Sequence, residues 1–194
     1  MPHQRIHSYG KTIENEIPLI LIIGREPNTD REIDGDHGFY DFDKYPKCAF
    51  WNISYSIIGE IARLKTNDFK NECRKKNCSP IIYADSLPIG ITHKTQNKNL
   101  HRRSLSEEYI KSHINSIFLF TELLDRVSIV IMSGLNKPVF DNAKFQITEN
   151  TTQRNIEFIN LPFFYGNNRN DIVYRLSADC RKIISNVMTT FTEL

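Results

Sequence analysis

Four short runs of apolar residues break up an otherwise mixed chain: "IPLILIIG" (17–24), "PIIYADSL" (80–87), "VSIVIMSG" (127–134) and "IEFINLP" (156–162). They are nearly continuous in Ile, Val and Leu, which suits strands buried on both faces, as in a parallel sheet covered by helices. Between and after them the apolar period changes to that of a helix. "AFWNISYSIIGEIARL" (49–64) puts Phe50, Ile53, Ile57, Ile58, Ile61 and Leu64 on one side. "SLSEEYIKSHINSIFLFTELL" (104–124) opens with Ser104 three residues before Glu107, the spacing of a capping box. In 170–191, Ile172, Val173, Leu176, Cys180, Ile183, Ile184, Val187 and Phe191 recur at helical spacing, and a short helix is expected over 138–145. Strand and helix thus alternate four times. That order predicts an α/β chain with a four-stranded parallel sheet.

Composition adds bounds to this picture. The 194 residues suffice for one domain with a substantial core, spanning 1–194, and are too few for two comfortable ones. Hydrophobic residues make up 40% and aromatics 11%, values of a globular rather than a disordered chain. A formal net charge of +2 argues against a wholly basic nucleic-acid coat while allowing a local basic face. No apolar run approaches the ~20 residues that span a bilayer, and "MPHQRIHSYGKTIENE" lacks a secretory apolar segment, so no membrane partner and a cytoplasmic location are expected. Cys73 and Cys78 bracket a basic stretch, but no second tight pair accompanies them. Cys48, Cys73, Cys78 and Cys180 therefore read as ordinary free thiols, with no metal and no cofactor expected.

Ligands of open α/β sheets bind beyond the carboxyl ends of the strands. Two long polar loops, 25–47 and 88–104, follow the first two predicted strands. The first begins Gly24-Arg25-Glu26-Pro27-Asn28. Glycine permits close approach, and proline stiffens the peptide after Glu26 and pushes it toward an extended conformation. A carboxylate held in this way can position a water or stabilise a developing cation; a surface turn with a solvated Glu26 is the other reading of the same residues. Asp30, Glu32, Asp34, Gly35 and Asp41 fall at calcium-loop positions 1, 3, 5, 6 and 12. His37 stands where an aliphatic residue is wanted, and a strand rather than a helix precedes, so a solvated acidic loop is the expected state.

In this setting, Gly-x-acid-Pro-x after the first strand resembles the first motif of the uracil-DNA glycosylase superfamily, whose forms include GQDPY, GEAPG and GMNPG. Gly38 and Phe39 in "DGDHGFYDF" resemble the glycine and phenylalanine that follow it in several branches, where the phenylalanine stacks on an extruded base. At the end of the second predicted strand, Asp85, with Ser86 beside it, stands where the superfamily often has an asparagine that reads the base edge. An ionised carboxylate accepts hydrogen bonds only, so it favours an edge rich in donors; an Asp85 that caps a turn is the other reading of the same residue. The last stretch, "INLPFFYGNNRN", departs from the His-Pro-Ser pattern: Pro162 fits, Leu161 stands where the histidine that stabilises departing uracil is expected, and Phe163 replaces the serine. Asn160 and Asn168 are nearby polar residues.

The resemblance covers most of the chain in architecture and a few residues in motif. It implies a three-layer α/β/α sandwich and hydrolysis of the N-glycosidic bond of a flipped damaged or modified base in DNA. Glu26 is then the catalytic residue, and Phe39 the stacking ring. Gly24, Arg25, Pro27, Asn28, Asp85, Ser86, Pro162 and Asn168 line the substrate. Arg169 is placed to meet a phosphate, as are Lys98, Arg102 and Arg103 in the basic run "THKTQNKNLHRR" (92–103), which otherwise reads as a solvated loop. Two alternatives stand beside this: a non-catalytic nucleic-acid or nucleotide binder on the same fold, and an unrelated small-molecule α/β hydrolase or transferase.

Overall fold

The computed structural model describes residues 4–24, 35–39, 42, 49–86, 121–135, 137–151, 155–162, 164 and 169–194. Among them, six strands occur in chain order: β1 (Gln4–Gly10), β2 (Leu19–Gly24), β3 (Gly35–Phe39), β4 (Cys78–Asp85), β5 (Val127–Ser133) and β6 (Glu157–Leu161). The described helices are α1 (Ala49–Ile61), α2 (Thr66–Lys76), α3 (Thr121–Leu124), α4 (Lys137–Asn150), α5 (Arg169–Arg175) and α6 (Ala178–Glu193). None of these is long and apolar enough to cross a membrane.

The strands form one sheet in the order β3-β1-β4-β2-β5-β6. The four apolar runs are the contiguous strands β4, β2, β5 and β6, each parallel to its neighbour. Every residue of β2 is buried. Because successive side chains point to opposite faces, both faces of the sheet are covered there. This is an α/β protein, as the alternation predicts. The expectation of a purely parallel four-stranded sheet is corrected: β1 pairs antiparallel with β4, and β3 pairs parallel with β1, so the sheet is mixed and two strands wider. Both added strands lack an apolar run. β1 reads "QRIHSYG" and buries only alternate residues, Ile6 and Ser8; β3 reads "GDHGF" and interrupts the 25–47 segment expected to be loop.

The helices differ from expectation in similar ways. α2 is mostly polar and charged, and buries only Phe69 and Cys73, too little periodicity to announce itself. The helix expected over 170–191 is two helices. Ser177 adopts an extended conformation and its Oγ accepts the Cys180 N–H at 3.1 Å, so the side chain starts α6 afresh. The helix expected over 138–145 runs longer, as α4. Of the helix expected over 104–124, only α3 lies within the described residues. α6 packs on β2, β4 and β5 through Cys180, Ile184, Val187, Met188 and Phe191; α2 packs on β1 and β4, and α1 touches α2, α5 and α6.

Candidate functional site at the carboxyl ends of the parallel strands

From β2 the chain passes through β3 at the far edge and returns to β4 on one side of β2, then enters β5 on the other side of β2. A sheet whose connections diverge in this way opens a crevice beyond the carboxyl ends of its central strands, where α/β proteins bind ligands. The residues at that edge come from all four parallel strands.

Gly24 and Asp85 are register partners on the last rung shared by β2 and β4, and the Ser86 N–H donates to the Gly24 carbonyl at 2.9 Å, one residue beyond. A side chain at Gly24 would fit only if Asp85 moved. A Cβ there would lie 2.8 Å from Asp85 Oδ1 and 3.4 Å from Phe50 Cζ. A carboxylate oxygen and an aromatic ring edge thus converge on one point at the rim. Phe50 is the second residue of α1 and stacks on Phe164 with ring centroids 5.5 Å apart and planes inclined by 28°. Phe50 also neighbours the ring of Tyr83, which stacks in turn on Trp51 at 5.7 Å.

The ends of β5 and β6 fix Phe164. Buried Ser133 accepts the Phe164 N–H at 3.0 Å and directs its hydroxyl to the Pro162 carbonyl at 3.4 Å. The Gly134 N–H donates to the Leu161 carbonyl at 2.9 Å, and Asn160 Nδ2 donates to the Leu135 carbonyl at 3.1 Å. The chain is thereby folded back so that Phe164, itself buried, meets Phe50. The arrangement sets a hydrogen-bond acceptor and an aromatic ring edge together where the parallel strands end.

Gly24, Asp85, Ser86 and Pro162 therefore come to one edge of the sheet, as their places after predicted strands require. Leu161 is on the last rung of β6 and only 4% exposed. Phe39 is not brought there. Its backbone pairs with Ser8, which is level with Ile82 and Leu21, three residues short of Asp85 and Gly24. That is about 10 Å down the strands, on an edge strand three places from β2. Arg25, Glu26, Pro27, Asn28, Lys98, Arg102, Arg103 and Asn168 lie outside the described residues, as do the side chains of Phe39 and Arg169 and nearly all of the acidic 30–41 segment. Sequence reasoning missed Phe50, Phe164 and Ser133. One signal was available: Ser133-Gly134 ends its apolar run much as Gly24 ends the first.

Among the described residues, no three of His, Cys, Asp and Glu lie together as metal ligands would. Cys73, Cys78 and Cys180 are buried, unbridged thiols, and burial pushes the Cys73 thiol well above its ordinary value, against thiolate chemistry. No protein-family model matches the chain, and no characterised protein does. The likeness to the uracil-DNA glycosylase superfamily therefore stands on the sequence motifs alone.

Proposed function

We propose that the chain is a uracil-DNA glycosylase-like protein, an α/β/α three-layer domain that takes a flipped damaged or modified DNA base into the rim and hydrolyses its N-glycosidic bond. One observation carries the reading: Gly24 of the resembling motif, Asp85 of the base-reading position and the ring of Phe50 meet at one point on the carboxyl edge of the parallel strands. A flipped base needs a stacking surface and an edge reader, since extrusion costs a few kcal/mol that the pocket must recover. In this reading Phe50, backed by Phe164, takes the stacking role expected of Phe39. Asp85 reads the base edge, and Glu26 orients the attacking water or stabilises the cation developing on the sugar. Lys98, Arg102, Arg103 and Arg169 hold phosphates.

The experiment is a base-release panel on duplexes carrying uracil, hypoxanthine, xanthine or alkylated bases, run beside DNA binding at several salt concentrations. Release from at least one duplex is expected. Glu26→Gln should lower it by about 100-fold or more while leaving DNA affinity nearly intact, because the glutamine keeps the shape of the side chain and loses its charge.

A second reading has its own observation. The residue where the anion-stabilising histidine is expected is the buried Leu161, which favours a non-catalytic nucleic-acid or nucleotide binder on the same rim. Salt-dependent binding without release of any base would establish that reading in place of the first. A chain that neither releases nor binds would instead be a small-molecule hydrolase or transferase on an α/β scaffold.

A further inference from the structure

We propose that the Ser133 hydroxyl is a positioning group for the rim: it fixes the turn by which the chain leaves β6 and, through that turn, the Phe164 ring that backs Phe50. The role rests on the reading of Phe50 as the ring that takes the base, and adds the residue that keeps the support of that ring in place.

Ser133 is the last residue of β5 and pairs with Leu161 on the last rung shared with β6. It is fully buried. A buried hydroxyl costs free energy unless it is hydrogen-bonded, and an alanine would end the strand without that cost. Both hydrogen bonds of this hydroxyl go to one short segment beyond β6. The Oγ accepts the Phe164 N–H at 3.0 Å and donates to the Pro162 carbonyl at 3.4 Å. Pro162 brings no N–H and cannot continue the ladder. The Ser133 side chain thus supplies what the next rung would otherwise take from the backbone.

The neighbouring contacts hold the same junction without reaching this segment. Gly134 adopts a φ of 72°, and its N–H donates to the Leu161 carbonyl at 2.9 Å. Asn160 Nδ2 donates to the Leu135 carbonyl at 3.1 Å. Both survive the loss of the Ser133 hydroxyl. Among the described residues, Ser133 is the one that hydrogen-bonds Pro162 and Phe164. The Phe164 ring is buried and stacks on Phe50 with centroids 5.5 Å apart, so a shift of its backbone is passed to Phe50. Without the hydroxyl, a buried N–H and a carbonyl lose their partner, and the turn moves to recover one. Displacement of a binding group by about 1 Å costs a ligand far more than it costs the fold.

The test uses the full 194-residue chain. Ser133→Ala removes the hydroxyl. Ser133→Thr and Ser133→Val share one shape and differ in the hydroxyl, so their comparison cancels the steric cost of a larger side chain and serves where the alanine variant does not fold. Arg126→Met is the control, because the Arg126 guanidinium holds backbone carbonyls at the opposite end of the sheet. Steady-state base release is measured on whichever of the uracil, hypoxanthine, xanthine and alkylated-purine duplexes the wild-type chain cleaves fastest. KM should rise about 5-fold or more in Ser133→Ala, and by a similar factor in Ser133→Val relative to Ser133→Thr, with kcat within about two-fold, since a stacking ring captures the base in the ground state. Arg126→Met should lower stability and leave KM unchanged. Equal KM in the threonine and valine variants, a KM rise of the same size in Arg126→Met, or a fall in kcat at unchanged KM would each overturn the role of Ser133 and leave the glycosylase-like reading intact. Release of no base by the wild-type chain would overturn both.

Discussion

The two ends of the parallel strands use polar groups in opposite ways. At the amino end, the polar groups of the network bind the chain's own backbone and one another. The Arg126 guanidinium donates to the carbonyls of Ile13 at 3.1 Å and Ile17 at 2.9 Å, and to that of Asn15, which pins the β1–β2 connection to the start of β5. Beside it, Thr12 Oγ1 donates to the Ser79 carbonyl at 3.1 Å, and the Tyr55 and Ser79 hydroxyls meet at 2.5 Å. At the carboxyl end, Ser133 and Asn160 are used in that fashion, to hold Phe164 and the Leu135 carbonyl. Asp85 and Phe50 instead crowd the space over a glycine at the point where the chain exits the sheet. A satisfied buried network fixes one conformation, whereas the carboxyl edge of the parallel strands is where α/β proteins take ligands. Stability and recognition are thus divided between the ends, and substitutions at each should separate them.

The largest effect is expected from Arg126→Met. It removes a half-buried guanidinium and strands the carbonyl oxygen of fully buried Ile17. Charge-assisted hydrogen bonds contribute about 1.5–3 kcal/mol each, and some are replaced by water, so unfolding free energy in urea should fall by about 3 kcal/mol. DNA or ligand binding by the fraction that remains folded should be unchanged. A binding loss as large as the stability loss would break the division.

Gly24→Ala is the mirror experiment. The new methyl meets a flexible carboxylate at 2.8 Å and a ring edge at 3.4 Å, so Asp85 turns aside at a stability cost of about 1–2 kcal/mol. Ligand capture should fall about 10-fold or more, because the acceptor no longer stands beside the ring. Wild-type affinity in this variant would show that Asp85 and Phe50 do not act on a common ligand.

How far the sequence foretold this division depends on where hydrophobic period and placement coincide. β2, β4 and β5 are buried along nearly their whole length and β6 carries Phe158, Ile159 and Leu161, so their residues announce them and their exits locate Gly24, Asp85, Ser86 and Pro162. β3 at the sheet's edge and β1 next to it are held by ladder hydrogen bonds with few apolar residues, and such strands leave little periodic trace. Phe50 looked like one more core position of α1. Its place over Gly24 follows from how the helix docks, a tertiary fact that no spacing within the helix records. Phe39 failed in the converse way. A motif-like spacing suggested the rim, but pairing with β1 carries its backbone down the sheet.

The smallest expected effect is one of pH, and it probes the amino end alone. Cys73 is buried on α2 near Ser79 and Tyr55, and burial raises its thiol pKa far above the ordinary 9.0, with a smaller contribution of the same sign from Cys78. A native pKa above the unfolded one means that stability is fully present below pH 9 and is lost as pH rises, since the unfolded chain ionises its thiol while the native chain does not. Cys78, also raised by burial, acts in the same direction. Lys70 acts oppositely: burial first, and Arg74 second, lower its pKa, so its contribution improves as pH rises toward 10.5. The wild-type curve alone therefore mixes signs. The difference between wild type and Cys73→Ala cancels Cys78 and Lys70 and isolates one thiol. Measured by urea unfolding, that difference should shrink by about 1.4 kcal/mol between pH 8 and pH 10, in favour of the alanine variant. Parallel curves across this interval would mean that the native thiol ionises as easily as the unfolded one, and that the Tyr55–Ser79 end of the sheet admits water.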